Sequence, residues 1–141
     1  MKIYNGEGMV LGRLATHVAK DALLGEEVVV VNSEKVVISG AKINTFEKEL
    51  QRLNRRGYPL KSAKRTRIPE RFVRRSIRGM LPWKIARGKE AFKRIMCYRG
   101  VPDVIKDKEF ITVESASTKK LPNLKYVTIL EVCKYMGGKK L

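Results

Sequence analysis

The sequence predicts an α/β fold, and three observations carry that reading. A short extended segment, an amphipathic helix and a run of β-branched residues follow one another within the first 32 residues. Strand, helix, strand in that order is the unit that builds parallel sheets. The run EVVVVN at residues 27–32 shows no polar alternation, as expected of a strand covered on both faces. With 141 residues and 43% hydrophobic content the chain is long and apolar enough for one real core, because chains near this length bury roughly 68–70% of the surface their unfolded form exposes. The expectation is therefore a single domain over residues 1–141.

The elements follow in order. Residues 2–5 read as the first strand and Gly6-Glu7-Gly8 as a turn. Residues 11–24 read as a helix whose Leu11, Leu14, Ala15, Val18 and Ala22 share one face, with Gly25 ending it. After the β-branched strand and a turn at residues 32–35, VVISG is a second extended piece. Residues 41–56 read as a helix with Ile43, Phe46, Leu50 and Leu53 on one stripe. Residues 54–68, NRRGYPLKSAKRTRI, have no apolar period and are punctuated by Gly57 and Pro59. A loop this long is uncommon unless it is functional or disordered. Pro69 suits the first turn of a third helix over residues 69–78, and residues 87–95 read as a fourth. For residues 96–99 periodicity leaves both a helical extension and a strand open. Tyr126 and Val127 read as a strand, Thr128 and Glu131 as a capping box opening a helix, and Gly137 as its stop.

The charge is unevenly placed. The chain carries +17 in total. Residues 1–50 hold 6 Lys+Arg against 7 Asp+Glu, residues 51–99 hold 17 against 2, and residues 100–141 hold 8 against 5. Twelve of the thirteen arginines lie in the middle segment; only Arg13 lies outside. Solubility alone does not need such clustering. Arginine is suited to bidentate phosphate contacts and to stacking on bases, so the leading partner is a nucleic acid. An anionic membrane fits less well. No strongly apolar helix face accompanies the charge, and no apolar run approaches the ~20 residues that span a bilayer. The N-terminus has no signal-peptide core, which predicts a chain that stays in the cytoplasm.

On the helix over residues 69–78, Phe72, Val73, Ser76 and Ile77 share one side. Arg71, Arg74, Arg75 and Arg78 fall within about 100° of arc on the other. They point away from the core, so removing Arg74 together with Arg78 is expected to leave stability almost unchanged. Gly79 is suited to a left-handed turn, Met80 or Leu81 to folding back on the helix, and Pro82 to stopping it. The loop over residues 54–68 places Tyr58 among six basic residues and no acid. That pattern tracks phosphates and stacks an unpaired base, and it fits a segment disordered in the free protein and ordered on RNA. Charge and periodicity together nominate as RNA contacts Arg13, Lys20, Arg55, Arg56, Tyr58, Lys61, Lys64, Arg65, Arg67, Arg71, Arg74, Arg75, Arg78, Gly79, Lys84 and Arg87.

Other motifs point to structure. GEGMVLG, residues 6–12, follows a strand and opens a helix, but its third glycine comes one place late for a dinucleotide fingerprint, with Leu11 in its place. A nucleotide-binding α/β enzyme is the alternative function, and this turn is its main support. His17, the one histidine, lies on the polar side of its helix with no cysteine at ligand spacing. Cys97 and Cys133 fit no zinc or redox spacing and read as reduced, buried thiols.

Four blocks, VLGRLA (10–15), VVVVNSEKVVISG (28–40), RRSIRGMLP (74–82) and RGKEAFKRIMCYRGVP (87–102), resemble in order and spacing the universal large-subunit ribosomal protein thirteen family. The most specific is IRGMLP, Ile77 to Pro82. The segment LNRRGYPLKSAKRTRIPERF and the ending KYVTILEVCKYMG are similar to the archaeal branch, and the histidine-containing insert of bacterial members is absent. The resemblance implies a three-layer α/β/α fold around a four-stranded parallel sheet, with a strand near residues 95–99 and KYVT as the last strand. It also implies a non-catalytic role, with no metal, cofactor or small-molecule substrate. The implied partners are large-subunit ribosomal RNA and neighbouring large-subunit proteins, bound early in subunit assembly.

Overall fold

β2 (Val28–Val31) is the centre of the molecule. A computed structural model describes residues 1–55 and 65–138. β1 (Lys2–Asn5) and β4 (Ile95–Cys97) pair with β2 on either side, both parallel, with Val29 opposite Ile3 and Met96. The strand alternative for residues 96–99 is the one the chain adopts, one residue earlier. All four valines of β2 are buried, as the unbroken apolar run predicts. Each such side chain stabilises the fold by roughly 1.5–3 kcal/mol.

Successive side chains of a strand point to opposite faces, so β2 feeds two clusters. Val28 and Val30 meet Tyr4, Ile95 and Cys97 beneath α1 (Leu11–Leu23) and α3 (Pro69–Arg78). α1 inserts Leu14, Ala15, Val18, Ala19 and Ala22 there, the predicted face with Ala19 added and Leu11 only partly buried. Val29 and Val31 face the other way, onto Ile3, Ile105 and Val101. That second face is covered by a segment whose regular structure is a single 3-10 turn, Asp103–Ile105.

β3 (Val37–Ser39) and β5 (Tyr126–Thr128) form a separate antiparallel pair. The described sheet thus has three parallel strands rather than four, and KYVT lies outside it. The outer edge of β1 is already taken: Ile111 N–H donates to the Ile3 carbonyl at 2.7 Å, and the Ile111 carbonyl accepts from Asn5 N–H at 3.1 Å. β5 pairs instead with β3 and passes directly into α5 (Ile129–Tyr135). The expected capping box is complete there, with Thr128 Oγ1 accepting from Glu131 N–H and Glu131 Oε2 from Thr128 N–H. Such a cap contributes on the order of 1 kcal/mol.

α2 (Lys42–Asn54) packs against α5 and β5. Phe46 stacks on Tyr135 with ring centroids 4.4 Å apart, and Leu53 is half-buried. Ile43, expected on the same stripe, is 69% exposed, because α2 rests on a helix and a strand edge rather than on the broad sheet. The residue α2 buries is Glu49. α4 (Ala86–Lys93) packs on α1 and β4.

Both cysteines are free and buried. Burial pushes each thiol up to about 12, which leaves no thiolate for chemistry near neutral pH. Among the described residues no group of His, Cys, Asp and Glu could hold a metal, and no helix is long and apolar enough to cross a membrane.

Candidate nucleic-acid interface

The third helix divides as its periodicity predicts. Phe72, Val73 and Ile77 are buried, while Arg71, Arg75 and Arg78 are exposed. Arg71 and Arg78 have no carboxylate within ion-pair distance among the described residues. Like-charged neighbours on a helix destabilise it by a few tenths of a kcal/mol per pair, and an anionic partner reverses that sign.

Arg74 departs from the stripe. At about 100° per residue it sits nearer Ile77 than its three companions do. Its guanidinium lies 4.5 Å from the Phe92 ring centroid, and Nη2 donates to the Phe92 carbonyl at 3.5 Å. Its Nε is buried without an acceptor among the described residues. Arg74 therefore ties α3 to α4, which corrects the expectation that Arg74 and Arg78 can be removed together at almost no cost in stability. Arg74→Ala is expected to lower unfolding free energy by roughly 1–2 kcal/mol, through the lost cation–π contact and stem packing. Urea denaturation measures it; a change within ~0.5 kcal/mol would contradict this role.

The turn after α3 also differs from expectation. Gly79 has φ −63° and ψ −18°, right-handed helical values, not left-handed ones. The helix tightens instead, with Met80 N–H donating to the Ile77 carbonyl and Leu81 N–H to that of Arg78. Leu81 is the residue that folds back into the core, and Met80 is 43% exposed. The Arg78 guanidinium lies 3.7 Å from the Trp83 ring centroid, and Trp83 meets Phe92 edge-to-face at 5.2 Å. Stacking on one face holds Arg78 while leaving its N–H edge available to two oxygens of a phosphate.

α1 packs against both α3 and α4, which brings its exposed Arg13, His17 and Lys20 into the same helical layer. Arg13 donates to the Ser115 carbonyl at 3.1 Å, and His17 Nε2 lies 3.2 Å from Ser115 Oγ. Arg87 Nη2 and Arg94 Nη1 reach the Leu23 and Ala22 carbonyls at 3.4 Å each. Both cations thus satisfy the last carbonyls of α1, where the helix dipole favours positive charge. Lys84 is exposed beside Trp83 in the chain. Arg65 and Arg75 line one recess of about 180 Å³ with Gly79. Arg67 is exposed before α3, and exposed Arg55 follows α2. Arg56, Tyr58, Lys61 and Lys64 lie outside the described residues, as does most of the predicted loop over residues 54–68.

Sequence reasoning missed Trp83, Phe92 and Arg94. Arg78 and Trp83 are five apart in the chain, and only the turn at residues 79–82 makes them neighbours.

The glycines of GEGMVLG have structural tasks. A Cβ on Gly6 would sit 2.6 Å from Val36 Cγ2 and 2.9 Å from the Val31 carbonyl oxygen. Gly8 has φ +64°, which favours glycine. The turn's polar backbone is engaged, with Val10 N–H donating to the Ala116 carbonyl and Thr118 N–H to that of Gly8.

The sequence model of the family described as ribosomal protein L13 matches residues 1–103. Similar proteins include the large ribosomal subunit protein uL13 of Methanococcoides burtonii, 44% identical over 139 residues that cover 99% of each chain. The protein of the same name from Methanocaldococcus jannaschii is 42% identical over 142 residues, again covering 99% of each. That from Archaeoglobus fulgidus is 42% identical over 136 residues, 96% of this chain and 86% of its own.

Proposed function

The chain belongs to the ribosomal protein L13 family, and from that premise we propose that it binds large-subunit ribosomal RNA through the helical layer of α1, α3 and α4 and joins the large subunit early in its assembly. It is a structural component of the large ribosomal subunit and not an enzyme, in keeping with the names of its relatives. Residues 1–141 act as one domain, with residues 51–99 as its RNA-binding segment. The remaining partners are neighbouring large-subunit proteins, in the cytoplasm.

The observation that supports this reading best is the exposed Arg71 and Arg78, held on a helix whose opposite face is buried, without carboxylates beside them. Each of these exposed guanidinium groups can donate paired N–H bonds to two oxygens of a phosphate. The nucleotide-enzyme alternative loses its support, because the glycine turn it relied on is engaged by residues 116–118.

Sedimentation tests the proposal. The protein is expected to travel with large subunits through a high-salt wash, as an integral component does. Recovery in the supernatant, with intact subunits below it, would count against it.

A further inference from the structure

A second cationic cluster lies where α1 meets residues 114–120, outside the arginine stripe of α3. Arg13, His17 and Lys20 are exposed and fall within about 60° of arc on α1. Residues 115–118 run beside the entry to that helix, where Val10 N–H donates to the Ala116 carbonyl. Arg13 and His17 both reach Ser115, the first at its carbonyl and the second at its hydroxyl, although Ser115 follows His17 by 98 positions. Thr16 Oγ1 lies 3.6 Å from Met80 Sδ, so the cluster adjoins the turn that follows α3.

The charges around His17 favour an anion. α1 supplies Arg13, Lys20 and Asp21, and the adjoining segment supplies Glu114, Lys119 and Lys120. α3 and α4 bring Arg78 and Arg87 to the same helical layer. Asp21 is already engaged, accepting from the Tyr4 hydroxyl at 2.6 Å and pairing with Lys2 at 3.1 Å. Glu114 is the carboxylate of this group that has no ion pair among the described residues. The imidazole has one nitrogen to spare. Nε2 is at Ser115 Oγ, and Nδ1 has no hydrogen-bond partner among the described residues. A neutral imidazole carries one N–H and an imidazolium two. Protonation therefore lets the ring keep Ser115 and still donate outward.

We propose that Arg13 and His17, with Ser115 orienting the imidazole, hold one phosphate of the bound RNA, and that His17 takes up a proton from solvent as the phosphate arrives. The inference rests on the RNA-binding reading above and adds a pH-dependent contact to it. A phosphate stabilises the imidazolium over the neutral ring, so binding takes up a proton and affinity rises as pH falls. The gain is lost as pH rises past the range in which histidine ordinarily changes charge. Attribution is direct, because His17 is the one histidine and burial pushes both cysteines up to about 12.

The test is a pair of salt titrations of the full chain binding large-subunit RNA, at about pH 5.5 and about pH 8. Affinity is expected to be roughly fivefold higher at the lower pH. The slope of log affinity against log salt is expected to be steeper there by about 0.9, the increment of one more neutralised phosphate. His17→Gln stays polar and cannot take the charge, so its affinity and slope should be alike at the two pH values. His17→Lys carries the charge at both, and should keep the higher affinity and the steeper slope at both; it decides the matter if His17→Gln does not fold. A pH dependence that persists in folded His17→Gln overturns the proposal, as does a His17→Lys variant that binds like His17→Gln. So does wild-type binding that is steeply salt-dependent yet flat in pH, which leaves the RNA-binding reading intact. Failure to bind large-subunit RNA at either pH overturns both readings together.

Discussion

Gly88→Ala is expected to cost about 3 kcal/mol or more of unfolding free energy, measured as a lowered urea midpoint at unchanged slope. Gly88 lies in α4 and is buried. A Cβ there would stand 2.1 Å from the Pro82 carbonyl oxygen and 2.5 Å from its carbon. Both are backbone atoms, so no side chain can rotate aside. The same carbonyl accepts from Ile85 N–H at 3.1 Å and fixes the turn that leads into α4. Relief would require α4 to move away from Pro82, disturbing the Trp83–Phe92 contact and the grip of Arg74 on Phe92. Alanine's greater helix propensity, about 1 kcal/mol, opposes this loss but is too small to cancel it. Gly79→Ala supplies the contrast. Gly79 already has helical angles, and the nearest atom to its added Cβ, the Ser76 carbonyl oxygen, is 3.4 Å away. That change is expected to be neutral, or stabilising by up to ~1 kcal/mol, through a less flexible unfolded chain. Equal effects at the two positions would mean that the path from Pro82 to Gly88 is not as close as described.

What was legible in the sequence was what neighbouring residues decide among themselves. The valine run of β2, the buried face of α1 and the Thr128–Glu131 cap each depend on a few consecutive side chains, and each appears where periodicity and capping rules put it. Distant pairing was not legible. Nothing local in KYVT shows that Ile111 occupies the edge of β1 and leaves β5 to pair with β3. Gly88 looks like an ordinary weak spot in a helix until Pro82 is seen against it. Within the arginine stripe, helical spacing sets Arg74 nearest the buried face, but its grip on Phe92 depends on where a residue 18 positions further on packs. Glu49 was hidden for the same reason. It sits among the apolar positions of α2, and the pattern that displays Phe46 and Leu53 gives no sign that a carboxylate is buried beside them.

Binding to large-subunit RNA is expected to weaken by roughly 10³–10⁴ between 50 and 200 mM salt. The magnitude follows from counterion release. Each phosphate neutralised on duplex-like RNA contributes about −0.9 to the slope of log affinity against log salt, so 6–8 contacts give on the order of −5 to −7. The net positive charge of residues 51–99, 17 basic against 2 acidic, is ample for that number. The geometry then sorts the arginines. Arg71 is exposed and Arg78 keeps its N–H edge clear while stacked on Trp83, so Arg71→Ala and Arg78→Ala should each flatten the slope by about 0.9. Arg74 is held against Phe92, so Arg74→Ala should reduce stability while the folded variant keeps nearly the full slope. Salt titrations of the wild type and the three variants, each confirmed folded, decide the point. A wild-type slope near −1 would remove the phosphate reading altogether. A flattening in Arg74→Ala as large as in Arg71→Ala would show that the Phe92 contact opens on RNA and that Arg74 rejoins the stripe.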